Sequence, residues 1–258
     1  MRRLGMFLVC ASVVLASEGL APSPAVGTSK ASNYRAVILA NNPIMYWRLG
    51  ETSGTVAYDE TANNRDAIIS KKPLLKLPGA IKNDPNTSIW FDGLDDAAGW
   101  NATSSYSGSF TVEAWIRPAA TGVPTDFFGT RFPGEYSFDF KIMSGNQLSA
   151  DVGDGSRWLI TGATARFVYS PGVWYYVAAV VTPRGVALLA NGKLLRFFSY
   201  GGTPLLFDSS HGVLIGESGP SGSQEWFLGR IDEVAVYPRA LSIQTIAAHH
   251  NAGLQAHR

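Results

Sequence analysis

Two carboxylates stand side by side in an otherwise apolar run, Ile231-Asp232-Glu233-Val234-Ala235-Val236-Tyr237, which Pro238 stops. A charge buried in such a run is costly unless a partner meets it. Arg48, Arg230 and Arg239 are the cations that the sequence offers as partners. Neighbouring residues of a strand point to opposite faces, so the two acids are expected to serve opposite sides of one sheet. A second set of chemistry-bearing residues sits at turns: Asp154-Gly155-Ser156-Arg157-Trp158, and Glu225-Trp226 after a Gly/Ser stretch. An indole face stacks on a sugar ring while neighbouring polar groups fix its orientation, and loops carry most binding function on rigid scaffolds. The pattern nominates Trp158 and Trp226 as stacking faces, with Arg157, Asp154 and Glu225 as orienting contacts. Trp47, Trp115 and Trp174 fall in strand patterns and are assigned to the core. Trp100 is placed in a loop, and of Trp90 and Phe91 one is expected to face outward.

Catalytic patterns are scarce. Glycoside hydrolysis needs two carboxyl groups ~5–10 Å apart across a cleft, and Glu113 is the single carboxylate of its strand. A serine nucleophile elbow, an HExxH helix and a phosphate-cradling Gly loop are all missing from the sequence. His249 and His250 are adjacent on a helical pattern and diverge by about 100°. The expectation is a protein that is not an enzyme, with a glycoside hydrolase as the more distant alternative. Asp92-Gly93-Leu94-Asp95-Asp96 and Asp151-Val152-Gly153-Asp154-Gly155 read as turns. Phe127-Phe128 and Phe197-Phe198, if exposed, would form apolar patches for protein–protein adhesion or envelope assembly. Asn86-Thr87-Ser88 and Asn101-Ala102-Thr103 match the glycosylation sequon.

The elements that must position these residues are short strands. Gly (27 of 258 residues) and aromatics (12%) are plentiful and charge is low (16%), which suits strands joined by tight turns around a large core. The 21 basic and 20 acidic residues nearly cancel and no basic run stands out, so neither nucleic acid nor an anionic membrane surface is indicated. Arg2 and Arg3 followed by the apolar run 4–16 and Val14-Leu15-Ala16 read as a signal peptide over 1–25, shorter than the ~18 residues of a membrane span. Cys10, the one cysteine, lies inside it. A secreted or extracytoplasmic chain with no thiol and no stable span is expected. A flexible lead-in covers 26–33, one domain 34–253 and a tail 254–258. Strands are expected at 44–49, 88–91, 110–117, 137–142, 147–152, 158–161, 174–182, 186–190, 193–198, 213–215 and 230–237. Asn191-Gly192 marks a hairpin, and Ser242 caps a short final helix. This is an all-β, two-sheet antiparallel sandwich.

Seven segments in order carry a family resemblance: Tyr46-Trp47-Arg48-Leu49-Gly50-Glu51-Thr52-Ser53-Gly54, Tyr58 to Asn64, Phe91-Asp92-Gly93, Phe110 to Pro118, Trp174 to Ala178, Asn191-Gly192, and Phe227 to Ser242. Together they resemble laminin-G-like domains, jelly-roll members of the concanavalin A-like lectin/glucanase superfamily. The resemblance implies a concanavalin A-like jelly roll and a recognition role, with a glycan or an extracellular protein as partner. It also implies a structural calcium (Ca2+) held by Asp232 with Glu51 and the backbone around Asp92 and Gly93. The glucanase relatives carry their acids as an alternating E-x-D-x-x-E run, which this chain does not have.

Overall fold

The computed structural model describes residues 34–119, 122, 124–131, 136–217 and 225–255. The expected leader over 1–25, the lead-in over 26–33, Cys10 and residues 256–258 lie outside the described residues.

Helix α1 (Tyr34–Leu39) leads into β1 (Met45–Trp47), β2 (Val56–Ala57), β3 (Ala67–Ser70), β4 (Leu74–Pro78), β5 (Thr87–Asp92) and β6 (Ala97–Trp100). Then come β7 (Tyr106–Ser107), β8 (Phe110–Pro118), β9 (Thr125–Gly129), β10 (Phe138–Met143), β11 (Gln147–Gly153) and β12 (Trp158–Arg166). The rest are β13 (Tyr175–Thr182), β14 (Gly185–Ala190), β15 (Lys193–Ser199), β16 (Leu205–Phe207), β17 (Val213–Ile215), β18 (Leu228–Tyr237) and α2 (Ile243–Gln255). The first sheet runs β15-β14-β13-β8-β18-β5-β4, with β1 also on β18, and the second runs β12-β11-β10-β9-β17-β6-β3-β2. Every ladder between these strands is antiparallel. The expected two-sheet jelly-roll sandwich with a short C-terminal helix is the architecture observed.

Alternation explains the layers. In β8, Phe110, Val112, Ala114 and Ile116 point into the space between the sheets, as do Phe138, Phe140 and Ile142 of β10. A second apolar layer lies on the outer side of the first sheet, where Tyr46, Trp115, Tyr176, Ala178 and Tyr237 meet Tyr34, Ile38 and Ile246 from the two helices. Ser242 caps α2 by accepting the Thr245 N–H at 3.0 Å, and the helix runs to Gln255, past the end expected at 253.

Two expectations fail, the first because of a bulge. Lys141 pairs with Asp126 and Phe140 with Phe128, so Phe127 is an extra residue in β9. A bulge of this kind breaks the two-residue period, and Phe127 and Phe128 are both fully buried. They form no surface patch. Trp100 is likewise not in a loop: it ends β6 and meets Phe207 edge-on at 5.4 Å.

The Asn191-Gly192 turn joins β14 to β15 with φ of 48° and 71°, the pair of positive angles that a two-residue hairpin needs. A Cβ on Gly192 would lie 3.1 Å from Ala247 Cα and 3.2 Å from His250 Cβ. Gly192→Ala is therefore expected to cost about 1–2 kcal/mol through the left-handed backbone, and more through the crowding of α2. Equilibrium urea unfolding measures this; an unchanged midpoint would show that α2 does not press on the hairpin.

Candidate functional site

The carboxylate pair of β18 sits on a bulge. The β8–β18 register shifts between Asp232 and Ala235, and Glu233 takes the left-handed conformation, φ 54°. An L residue other than Gly, Asn or Asp adopts that conformation only where its surroundings hold it. The result corrects the expectation of opposite faces: both carboxylates reach the Asn86 amide, Asp232 Oδ1 at 3.2 Å and Glu233 Oε1 at 3.3 Å. Arg48 Nη2 binds Glu233 at 2.8 Å and Asp84 at 3.0 Å, and Tyr46 Oη donates to Glu233. Asp232 Oδ2 accepts the Ala80 N–H at 2.6 Å. Asn86, the first residue of a sequon match, is half-buried at this junction and donates also to the Arg48 carbonyl at 3.0 Å. Burial, and then the neighbouring Glu233 charge, hold the Asp232 carboxyl well above the usual range. Burial also raises Glu233, to about 6, against the pull of Arg48.

The other expected calcium ligands do not converge on Asp232. Glu51 accepts the Tyr58 N–H at 3.0 Å, with Glu60 and Asp66 as its charged neighbours. Asp92 pairs with Leu228, four residues along β18 from Asp232, or ~13 Å at strand rise. Gly93 packs against Leu228 at that same end. Asp92 bonds the Leu94 and Asp95 N–H groups, the turn expected there, and lies with Asp95 and Asp96 in an acidic cluster. At Asp232 itself, the acids Asp84, Asp232 and Glu233 outnumber the one guanidinium, Arg48. Carboxylate oxygen is the ligand type a divalent cation takes, but the acids whose oxygens lie close together among the described residues are Asp92, Asp95 and Asp96.

The turn residues gather on the outer face of the second sheet. Phe138, Phe140 and Ile142 of β10 point inward, so Asp139 and Lys141 point out. Lys141 Nζ lies 3.0 Å from Glu225, 3.2 Å from Asp151 and 3.4 Å from Asp139. Asp139 also meets Arg131 at 3.4 Å. The Arg131 guanidinium lies 5.9 Å from the centre of the Trp158 ring, and Tyr136 meets Trp158 edge-on at 5.5 Å. Trp226 forms a short bridge to Asp126, whose N–H bonds the Glu225 carbonyl at 2.6 Å. Trp158 and Trp226 are both half-buried, and the Trp226 indole nitrogen is shielded from water with no acceptor among the described residues. Trp158 and Glu225 are thus brought to one network, and Trp226 follows Glu225 along the backbone at its edge.

Asp154 and Arg157 are not joined to this network. Asp154 accepts the N–H groups of Ser156 and Arg157, each at 2.9 Å, and pairs with the largely exposed Arg157 side chain at 3.4 Å. Those backbone hydrogen bonds hold the Asp154 carboxyl below its ordinary value. Asp151, read as part of the same turn, instead belongs to β11 and to the Lys141 network.

Burial opposes the Lys141 charge, but Asp139, Asp126, Asp151 and Glu225 outweigh it and hold the ammonium well above the ordinary lysine value. Burial, then the charge of Asp151, pushes Asp139 up to about 7 despite Lys141 and Arg131. Sequence reasoning missed Lys141, Asp139 and Arg131, although the alternation Phe138-Asp139-Phe140-Lys141-Ile142 signals two outward charges.

A third polar group is enclosed under α2. Glu113 is fully buried and accepts from Tyr176 at 2.6 Å and Tyr237 at 2.8 Å, with His249 Nδ1 at 3.0 Å. His250 turns away to stack on Trp115, so the two histidines form no shared metal face.

The Asp139 shift has a sign that can be tested. A carboxyl with a folded pKa of about 7 binds more protons in the native state than in the unfolded chain, where it titrates near ~4. Its contribution is complete below ~4 and is lost as pH rises through ~7. Glu217, raised to about 7 by burial, and Glu233 act in the same direction. The melting temperature is expected to fall between pH 5 and pH 8, and Asp139→Asn to flatten the slope. A slope that is unchanged in the variant would contradict the assignment.

A family model described as the concanavalin A-like lectin/glucanases superfamily matches residues 92–247. No curated protein matches the chain in sequence. Among solved structures, the binding domain of Paraclostridial Mosquitocidal Protein 1 is similar at 14% identity and a TM-score of 0.65, over 83% of this chain and 53% of that one. The botulinum neurotoxin serotype D binding domain is similar at 11% identity and a TM-score of 0.58, over 82% and 52%. Trypanosoma rangeli sialidase in complex with 2,3-difluorosialic acid is similar at 14% identity and a TM-score of 0.59, over 80% and 32%. The chain spans about half the length of the toxin domains and a third of the sialidase.

Proposed function

The chain belongs to the concanavalin A-like lectin/glucanases superfamily, and from that premise we propose that it is a non-catalytic, exported recognition module that binds a glycan on the outer face of its second sheet. The observation that carries this reading is the place of Trp158 beside one charged chain, Arg131–Asp139–Lys141–Glu225, whose last member directly precedes Trp226 in the sequence. Indole faces stack on sugar rings, and a fixed set of cations and carboxylates orients hydroxyl groups. Asp139, whose raised pKa would suit a general acid, is fully buried, and Asp151 and Glu225 are both held by Lys141. The acids described on this face are thus buried or ion-paired, which supports binding without hydrolysis. Two of the similar solved structures are binding domains by name. Among the described residues no helix is long and apolar enough to cross a membrane.

A protein partner is the second reading. Leu194 and Phe197 are 44% and 51% exposed on β15, which ends the first sheet. An uncovered edge with apolar side chains invites another chain. A glycan array, then calorimetry on Trp158→Ala and Trp226→Ala, separates the two. Each folded variant is expected to lose glycan affinity by about tenfold, the ~1.5 kcal/mol of a stacking contact. Failure to bind any glycan, with capture of a protein that Phe197→Ser no longer holds, would favour adhesion; glycan cleavage would sink the non-catalytic claim.

The calcium proposal rests on the carboxylate oxygens of Asp232, Asp84 and Glu233 as the groups that would hold the ion. Bound only by the native state at about 100 times its Kd, calcium would stabilise the fold by ~2.7 kcal/mol. Chelator is expected to lower the melting temperature of the parent and to leave Asp232→Asn unmoved. The same melt with and without chelator in the parent would leave protonation to relieve the Asp232 charge.

A further inference from the structure

On the outer face of the first sheet, beyond the area that the helices cover, one rung of cross-strand neighbours reads Leu74, Trp90, Arg230, Arg117 across β4, β5, β18 and β8. Phe91, Ile231 and Ile116 beside them are fully buried in the core, so the pleat turns Trp90, Arg230 and Arg117 outward together. Directly opposed side chains of an antiparallel pair lie ~5 Å apart at Cβ, and like charges placed so repel. Neither arginine forms an ion pair with a carboxylate among the described residues. Arg117 Nε donates to the Gly172 carbonyl at 2.5 Å, which fixes the guanidinium and leaves its terminal nitrogens for another acceptor. Arg230 Nη1 reaches only the Pro78 carbonyl, at 3.4 Å, and its Nε is shielded from water with no acceptor. A cavity of about 290 Å³ opens beside Trp90 and Arg117, lined also by Pro118, Ala119, Pro171 and Gly172, and Arg230 stands between those two residues on the rung. Burial, then the charge of Arg117, lowers the Arg230 pKa, as expected of a cation without a counter-ion.

We propose that this rung and its cavity bind an acidic sugar, with the ring against Trp90 and its carboxylate shared by Arg117 and Arg230. A planar guanidinium presents paired N–H donors that match the two oxygens of a carboxylate, and a Trp face takes the apolar side of a pyranose. The bound carboxylate relieves the repulsion that the fold leaves between the two arginines. This site is on the opposite sheet from Trp158 and Trp226, so it stands whether or not that face binds a glycan.

The test is calorimetry at low ionic strength with trigalacturonate and with the neutral trigalactose. Trigalacturonate is expected to bind about tenfold or more tighter than the neutral sugar, the scale of one charged hydrogen-bonded contact. Arg117→Gln and Arg230→Gln should each remove that preference, Arg230→Lys should restore only part of it, and Trp90→Ala should weaken both sugars. Trp158→Ala should leave uronate affinity unchanged. Each Gln variant should melt no lower than the parent, because it removes a like-charge neighbour. Equal affinity for acidic and neutral sugars, no binding of the uronate, an unaltered preference in both Gln variants, or a lower melting temperature in them would each overturn the proposal.

Discussion

The bulge at Glu233 is the constraint on which the first sheet depends. Strand β18 is paired along one side by β8, but on the other it must serve two partners: β5 along Leu228–Ile231 and β1 along Val234–Val236. The left-handed residue lies between the two, where the ladder changes partner. Its backbone conformation is unfavourable by itself, and it is held by what its side chain reaches: Tyr46 of β1, Arg48 just after β1, and Asn86 just before β5. One carboxylate therefore ties together the three segments that meet there. Removing Arg48 would leave buried negative charge without its cation, the costly way to break such a pair.

Both sheets carry polar networks on their outer faces, and they differ in what covers them. On the first sheet, Glu113 is closed over by α2 and bonded on all sides by Tyr176, Tyr237 and His249; a group so enclosed has no opening to a ligand and serves to fasten the helix. On the second sheet, the Lys141 network reaches the half-buried indole of Trp158 through Arg131. The rung of Trp90, Arg230 and Arg117 lies where the helices stop. Function is thus assigned by cover rather than by residue type: the same acids and aromatics are structural under a helix and available beside a loop.

Much of the sandwich was legible because its strands obey a period of two. Phe110 to Pro118 and Gln147 to Gly153 alternate cleanly, and the Asn191-Gly192 turn announces its hairpin. The failures lie where that period breaks. Phe127-Phe128 and Asp232-Glu233 are both bulges, invisible in a pattern that presumes a fully extended backbone. Strands β2, β3, β6, β7 and β16 span two to four residues, too few to show a period. Of the proposed site, Trp158, Trp226 and Glu225 stand out in the sequence by their place beside turns. Lys141 does not, because its acids Asp151 and Glu225 are brought to it by pairing and by a segment 84 positions away. Arg117 and Arg230 were visible only as isolated cations until register made them neighbours.

The order of strands also governs when the fold can form. The first sheet is built around β18, the last strand of the chain, and its neighbours begin as early as Met45. Until residue 237 has left the ribosome, β1, β5 and β8 lack the strand that joins them, and the helix that shields Glu113 comes later still. Contacts between such distant segments are slow to close. A growing chain of this topology leaves β1, β5 and β8 unjoined until β18 has been made, so its strand order alone keeps the first sheet open through the synthesis of everything before residue 228.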